Sequence, residues 1–545
     1  MNLSFFGAAK EVTGSCFQLD VNGKQMIIDC GMQQGEDEKD NQHLSFRSAD
    51  IDAVFLTHAH IDHSGRLPLM VKDGFNGKIY ATRATCDLIS IMLRDSAHIQ
   101  EMDAEWDNRK GARAGREIAV PLYTMEDAEE TLRFLIPCNY EEDVKPLEGV
   151  RVRFTDAGHL LGSSSIQIWL TENNITRKIV FSGDIGNKGQ PIIRDPQYIT
   201  EADYVVMEST YGDKDHEHVG NYVDDLAEII DNTLKNGGNV IIPAFSVGRT
   251  QELLYFIREI KERNLVTSVP GFPVYVDSPL SNQATKIYDG DLRGYADEET
   301  IKLIRDGFRP IDFPGLHATE TTEESKALNE DTIPKIIISS SGMCNAGRIR
   351  HHLKHNLWRP ECSVVFVGYQ ANGTLGRLLV DGIPKVKIFG EEIVVMAKII
   401  NYRGLSAHAD KTGLLQWIHS YSPKPQKVFV VHGEATVSDI FAEILIKEQY
   451  QVLVPNFEAV YDLANDKITN EGVEPEKIRA EIITAIPEPV HLWKHTPAVS
   501  NSYLNLLEAG EQLLSAIKRN KNGQNRDLAR FTKQVLDLAK KWDRF

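Results

Sequence analysis

The sequence predicts an α/β protein: a four-layer αββα sandwich that carries an inserted α/β domain and ends in a helical C-terminal tail. Three observations lead there. Up to residue 208, short apolar strands are separated by Gly-rich loops; from 209 to about 390, strands alternate with helices; after about 390 the first rhythm returns.

Met1-Asn2-Leu3-Ser4-Phe5-Phe6-Gly7 reads as a first strand, and Asn22-Gly23 is the turn of a hairpin whose second strand ends in Ile27-Ile28-Asp29-Cys30-Gly31. Ala53-Val54-Phe55-Leu56 is the next strand and runs into Thr57-His58-Ala59-His60-Ile61-Asp62-His63. Helical spacing covers about 85–104 and 125–135. A Gly-bounded loop follows, Thr155-Asp156-Ala157-Gly158-His159-Leu160-Leu161-Gly162-Ser163, then a strand ending in Ser182-Gly183-Asp184-Ile185-Gly186. In the insert, Asn239 to Pro243, Pro273 to Asp277, Lys335 to Ser339 and Ser363 to Val367 are near-continuous apolar runs, the pattern of parallel strands buried on both faces. Lys427 to Val431 then leads into His432-Gly433-Glu434. The expected domains are 1–208, 209–390, 391–464 and 465–545, the last holding two amphipathic helices, one from Tyr503 to Ile517 and one from Leu528 to Trp542.

At 545 residues the chain exceeds what one hydrophobic core needs. Six scattered cysteines with no CxxC pair argue against a disulfide framework or a thiolate zinc site and suit a reducing cytoplasm. No N-terminal signal pattern and no run of membrane-spanning length is present, so a soluble protein with no membrane partner is expected. A net charge of −18 disfavours broad attraction to nucleic acid but leaves a local basic groove open.

The chemistry is concentrated in Thr57 to His63, where three imidazoles and a carboxylate fall within six residues at a strand end. These are ligands for zinc and its neighbours, and alternate side chains of such a turn can face one cation while later ones reach a second. Further ligands stand at strand ends and loops elsewhere: Asp29, His159 and Asp184, the last flanked by glycines that permit close backbone approach. Taken singly, His159 reads as a core histidine; in this company it reads as a ligand.

These motifs, in order, resemble the metallo-β-lactamase signature, which serves hydrolysis of lactams, thioesters and phosphodiesters alike. Three further motifs resemble the β-CASP branch of nucleases with that fold, especially the mRNA 3′-end cleavage endonuclease subunit and its bacterial and archaeal homologues. They are Val206-Met207-Glu208-Ser209-Thr210-Tyr211-Gly212, Leu405-Ser406-Ala407-His408-Ala409-Asp410 and Val431-His432-Gly433-Glu434. Insert landmarks agree: Pro243 to Glu252, Ser341-Gly342-Met343 and Gly373-Thr374-Leu375-Gly376. The likeness covers residues 1 to about 464. It implies two Zn2+, with Mn2+ as the alternative: one held by His58, His60 and His159, the other by Asp62, His63 and His432, with Asp184 bridging. It implies Asp29, Asp62, Glu208 and His408 as catalytic residues, Asp29 behind the ligands and His408, paired with Glu208, as proton donor; a plain loop salt bridge is the other reading of that pair. In this family the third added position is His in RNA-directed members, matched by His432. The implied activity is hydrolysis of single-stranded RNA through a di-zinc-bound hydroxide, endonucleolytic, in RNA processing or decay. A 5′-3′ exoribonuclease and a catalytically silent RNA-binding scaffold are the alternatives; the scaffold predicts lost ligands, and none is lost.

Substrate grip is expected from the insert. Ser339, Ser340, Ser341 and Gly342 leave a strand toward a predicted helix, whose N-terminal amides suit phosphate. Arg348, Arg350, His351, His352, Lys354 and His355 make that helix basic, for RNA or merely as a solvated face. Arg249 is a phosphate contact or a helix-end charge. His216 and His218 read as solvated, and the basic loop Arg109-Lys110-Gly111-Ala112-Arg113 as an RNA guide or an ordinary turn. The tail leaves a homodimer, an RNA-processing partner or RNA contact open.

Overall fold

The computed structural model describes residues 1–474, except 35–40, 112–117, 218–220, 369, 372 and 403, together with 532–533. The chain divides into two units, Met1–Lys477 and Ile478–Phe545. The first holds two sheets face to face. One has eight strands, in the order Lys467–Asn470, Val460–Asp462, Asn2–Phe5, Phe17–Val21, Lys24–Ile28, Ala53–Phe55, Lys78–Thr82 and Leu135–Cys138. The other has seven: Val452–Leu453, Lys427–Val431, Tyr204–Glu208, Ile175–Phe181, Ser164–Glu172, Val150–Asp156 and Val144–Leu147.

Alternation along each strand decides what lies between the sheets. Leu3, Phe5, Leu19, Met26, Ile28 and Phe55 of the first meet Val152, Phe154, Ile166, Ile168, Phe181 and Phe429 of the second in one buried core. Residues of opposite parity point outward under helices. Ile27, Val54 and Ile79 pack with the helix Arg83–Gly111, whereas Val205, Met207, Val428 and Val430 pack with Leu414 and Trp417 of Lys411–Ile418 and Phe441 of Ala435–Lys447. The four αββα layers follow. Phe429 pins the late strand to the early ones, its ring 5.4 Å from Phe5 and 5.0 Å from Tyr461; truncating such a ring to Ala costs about 3–5 kcal/mol.

The insert is a six-stranded sheet, in the order Leu316–Ala318, Val274–Val276, Ile336–Ser339, Val240–Pro243, Ser363–Val367 and Lys398–Tyr402, with every pairing parallel. Two departures from the sequence reading concern edge strands. Lys398–Tyr402 extends the insert's sheet past the expected limit at 390, and Lys467–Asn470 adds a strand to the sandwich inside the segment expected to be helical. Both are only partly buried and mixed in polarity, so neither carries the apolar run that betrays an interior strand. The expected tail helices lie outside the described residues apart from the helical pair Thr532 and Lys533, and so does the partner contact assigned to them. Among the described residues, no helix is long and apolar enough to cross a membrane.

Candidate metal centre

Strands of both sheets deliver the functional residues at their C-terminal ends. The strand Ala53–Phe55 releases the chain into Thr57 to His60, and the short helix Ile61–Ser64 turns Asp62 and His63 back toward the same point. His159 comes from the loop after Val150–Asp156, Asp184 from the end of Ile175–Phe181, Glu208 from the end of Tyr204–Glu208 and His432 from the residue after Lys427–Val431. Close backbone packing sets their approach. A Cβ on Gly186 would lie 1.7 Å from the Gly158 carbonyl oxygen, and one on Gly31 would lie 1.6 Å from that of Asp62, so only glycine lets these loops meet. Asp29 and His432 themselves hold φ of +58° and +48°, an uncommon conformation for residues with a side chain.

Three groups of donor atoms result among the described residues, two of them rich in histidine and a third formed by Asp184, Glu208 and His408. In the first, His58 Nε2 stands 3.0 Å from His60 Nδ1, which is 3.3 Å from His159 Nε2; Asp184 Oδ2 lies 3.5 Å from His58 Nε2 and 3.5 Å from His159 Nε2. In the second, His63 Nε2 stands 3.2 Å from His432 Nε2, with Asp184 Oδ1 at 3.3 and 3.6 Å from the two and Asp62 Oδ2 at 3.9 and 3.6 Å. A tetrahedral ion bonded at about 2.0–2.1 Å separates its ligands by about 3.4 Å. Both histidine-rich groups match that edge, and Asp184 offers one oxygen to each.

The residues fit divalent cations on a further count. His63 gives its Nδ1 proton to Asp29 (2.8 Å) and His432 gives its own to the Thr210 hydroxyl (3.1 Å), so their Nε2 lone pairs face one another. Asp184 Oδ1, buried beside them, has no hydrogen-bond partner. With both imidazoles neutral, a divalent cation would satisfy all three acceptors at once; burial would lower His63 and His432, but the carboxylates, Asp184 foremost, override it and raise both, so the centre draws positive charge. Burial pushes the His58 and His159 imidazoles well below their ordinary value, toward the neutral form that binds metal. Burial would raise Asp184, but the surrounding histidines, His432 foremost, outweigh it and hold the carboxyl well below the usual carboxylate range.

Asp29 sits behind the ligands. Its carboxylate accepts from the Thr57 N–H, the Thr57 hydroxyl and His63 Nδ1, each at 2.8 Å, and fixes the His63 tautomer. His408 faces the centre from the other side. Its Nδ1 is 3.2 Å from Glu208 Oε2 and its Nε2 3.9 Å from Asp184 Oδ2. Burial alone would depress this imidazole; Glu208, followed by Asp184, overrides it and lifts the group to about 9. Glu208 is fully buried and is held in turn by the Ile185 N–H at 2.5 Å and the Thr210 hydroxyl at 2.6 Å.

Sequence reading missed Thr210, which joins Glu208 to His432, and misjudged His216. The latter is half-buried and donates from Nε2 to the His408 carbonyl at 2.9 Å. The hydroxyl run Ser209-Thr210 after Glu208 was the signal for the first; nothing local signalled the second. His218 lies outside the described residues.

The expected phosphate grip differs more. No helix starts at Ser341: the helix is Ile349–Asn356, and Gly342 to Gly347 intervene as turn and loop. Ser339 donates to the Asp277 carbonyl at 2.8 Å, Ser340 to the Ser278 hydroxyl at 3.0 Å, and Ser341, half-exposed beside Gly342 and the exposed Phe245 ring, to the Ala346 carbonyl at 3.4 Å. Arg348 is tied to Asp277 at 2.7 Å and to the Glu320 carbonyl at 3.0 Å, and His352 is fully buried with Nε2 2.6 Å from Asp277. Arg249 is paired with Glu252 and donates to the Leu405 carbonyl at 3.1 Å. These cations serve internal carboxylates and carbonyls. Arg109 and Lys110 belong to the last turn of Arg83–Gly111, with Lys110 3.2 Å from the Trp106 ring centroid, while Ala112 and Arg113 lie outside the described residues.

Comparison with known proteins agrees with this geometry. Family models match in succession: the metallo-beta-lactamase superfamily over residues 9–232, the Beta-Casp domain over 250–379, and the Zn-dependent metallo-hydrolase RNA specificity domain over 392–455. Ribonuclease TTHA0252 of Thermus thermophilus is 38% identical over 435 residues, covering 80% of this chain and 93% of that protein. The chain belongs to the β-CASP family of metallo-β-lactamase-fold ribonucleases. Relatives include an RNase J-like protein of Methanocaldococcus jannaschii, 31% identical over 451 residues (82% of this chain, 95% of that one), and the transcription termination factor FttA of the same organism, 28% identical over 471 residues (83% and 70%). As a β-CASP protein the chain is a nuclease that binds divalent metal and RNA.

Proposed function

We propose that the chain is a two-metal ribonuclease that cuts single-stranded RNA internally and leaves 5′-phosphate and 3′-hydroxyl ends, with zinc the resident metal and manganese the alternative. The observation that carries the reading is Asp184, which turns one oxygen to His58 and His159 and the other to His63 and His432 while His408 stands beside it. Cations bound there would ionise the attacking water and neutralise the phosphate, as paired metals do in phosphodiester hydrolysis. The chain's own groups supply the rest. His408 is protonated through the neutral range and aims its Nε2 proton into the site, where the P–O3′ bond breaks and the departing alkoxide takes it. Glu208 fixes that tautomer and balances the imidazolium charge. Thr57 and Asp29 keep His58 and His63 turned to the metals. The name ribonuclease borne by the Thermus relative supports RNA as substrate, and six free cysteines support a reducing compartment, the cytoplasm.

Digestion of a circular single-stranded RNA beside its 5′-labelled linear form tests the mode, because only an endonuclease opens the circle. End-group analysis tests the chemistry. A 2′,3′-cyclic phosphate would overturn direct attack by water, since it requires the 2′-hydroxyl as nucleophile.

A further inference from the structure

We propose that Phe245 is a stacking platform for one base of the RNA, set in the insert where it abuts the metal centre, and that it holds the strand by its ring rather than by charge. This deepens the reading of RNA as substrate and rests on it. Strand order in the insert opens a crevice at that place. From Val240–Pro243 the chain crosses toward Val274–Val276 and one edge of the sheet, whereas from its neighbour Ser363–Val367 it crosses to Lys398–Tyr402 at the other edge. The loops leaving the C-terminal ends of these two strands therefore diverge, and the gap between such loops is where open parallel sheets take their ligands. Phe245 stands two residues beyond Pro243, and its ring is 51% exposed.

The turn that carries the ring faces the catalytic loops. A Cβ on Gly248 would lie 3.0 Å from Leu160 Cδ1, on the residue after His159, and Arg249 donates to the carbonyl of Leu405, three residues before His408. The backbone under the ring is fixed from both sides. The Ala244 N–H donates to the Ser339 carbonyl at 3.1 Å, and the Phe245 carbonyl accepts from the Thr250 hydroxyl at 2.7 Å and the Thr250 N–H at 3.3 Å. A Cβ on Gly342 would lie 3.2 and 3.3 Å from Phe245 Cδ2 and Cε2, so the glycine lets the neighbouring loop rest against one edge of the ring. With its backbone anchored and half its surface in water, the ring has only side-chain torsions left to order when a base covers it.

The surrounding cations are already engaged. Arg249 is paired with Glu252, and Arg348 with Asp277. An aromatic grip needs no free charge, which suits a chain of net charge −18. It tolerates any sequence, because every base has a π-face, and it selects single strands, whose bases can turn out to meet the ring.

The test removes the base and the ring in turn. Single-stranded RNAs, phosphorothioate-linked except at one scissile bond, carry a single abasic residue at successive positions, and KM and kcat are measured on the metal-loaded full chain. For wild type, one abasic position should raise KM by about 5- to 150-fold, the worth of one base–aromatic stack, with kcat kept. Phe245→Leu retains apolar bulk against Gly342; it should show a raised KM on intact RNA, no further rise at that one position, and wild-type sensitivity elsewhere. Phe245→Tyr should behave as wild type. An unchanged KM in Phe245→Leu, or a full abasic effect at every position in that variant, overturns the platform and leaves the nuclease reading standing. Failure of wild type to bind or cleave any of these RNAs overturns both.

Discussion

Replacing Asp29 by Asn keeps the shape of the group behind the metal centre but removes one acceptor, and the consequence can be followed atom by atom. Asp29 Oδ1 accepts from the Thr57 backbone N–H, which can only donate, so the amide oxygen of Asn must take that place. The amide NH2 then faces the Thr57 hydroxyl and His63 Nδ1. Two donors cannot pair, so His63 moves its proton to Nε2, the atom that lies 3.2 Å from His432 Nε2 and 3.3 Å from Asp184 Oδ1. Metal binding must reverse that shift and forgo a hydrogen bond to a charged acceptor, worth about 1.5–3 kcal/mol. At about 1.4 kcal/mol per decade this corresponds to roughly a 10- to 100-fold loss of affinity, the range seen when such supporting partners are removed. Chelator-competition titration of Asp29→Asn should therefore show one site weakened by that factor, with two metals still bound at saturation by elemental analysis. Wild-type affinity at both sites would refute the tautomer argument.

Other substitutions separate the remaining roles. His408→Ala should retain both metals and lose about 10²–10⁴ in kcat, whereas His432→Ala should lose metal from the Asp62–His63 group; the reverse pattern in elemental analysis would exchange the two assignments. The wild-type rate should fall as pH rises through about 9, where His408 gives up its proton, and that limb should vanish in His408→Ala. Asp277→Ala strands Arg348 and the buried His352 without their carboxylate and should destabilise the protein by about 3–5 kcal/mol in urea unfolding. Burial would raise Asp277, yet its hydrogen bonds, His352 first, hold it below the usual carboxylate range. Its contribution is thus complete above that range and is lost as pH falls through and below it; equal acid sensitivity of wild type and Asp277→Ala would contradict the assignment.

The metal centre was legible because its chemistry is local in sequence. Thr57 to His63 bring three imidazoles and a carboxylate in one turn, and Asp184, Glu208 and His432 each close an apolar run that reads as a buried strand. The expected RNA contacts were read from sign alone, and a cation's sign is visible in sequence but its direction is not. Arg249 turns to Glu252, and Arg348 and His352 turn to Asp277, a carboxylate that arrives from 71 and 75 residues away. The strands Lys398–Tyr402 and Lys467–Asn470 escaped for a related reason: an edge strand is half solvated and its composition resembles a loop.

The pairing of Tyr204–Glu208 with Lys427–Val431 has a consequence for how and when the protein becomes active. Glu208 lies opposite Val431 in a parallel ladder, although Ser209 and Val431 are 222 residues apart. Closing a loop of that length costs about 5 kcal/mol of chain entropy, and nothing of the ladder offsets it until the late strand has been made. A growing chain on the ribosome that has not yet emitted residue 432 already carries His58, His60, His159 and Asp184 but lacks His432, and lacks the strand that flanks Glu208. The nuclease therefore completes its centre only after His432 has left the ribosome, and any shorter nascent chain lacks part of the second ligand group.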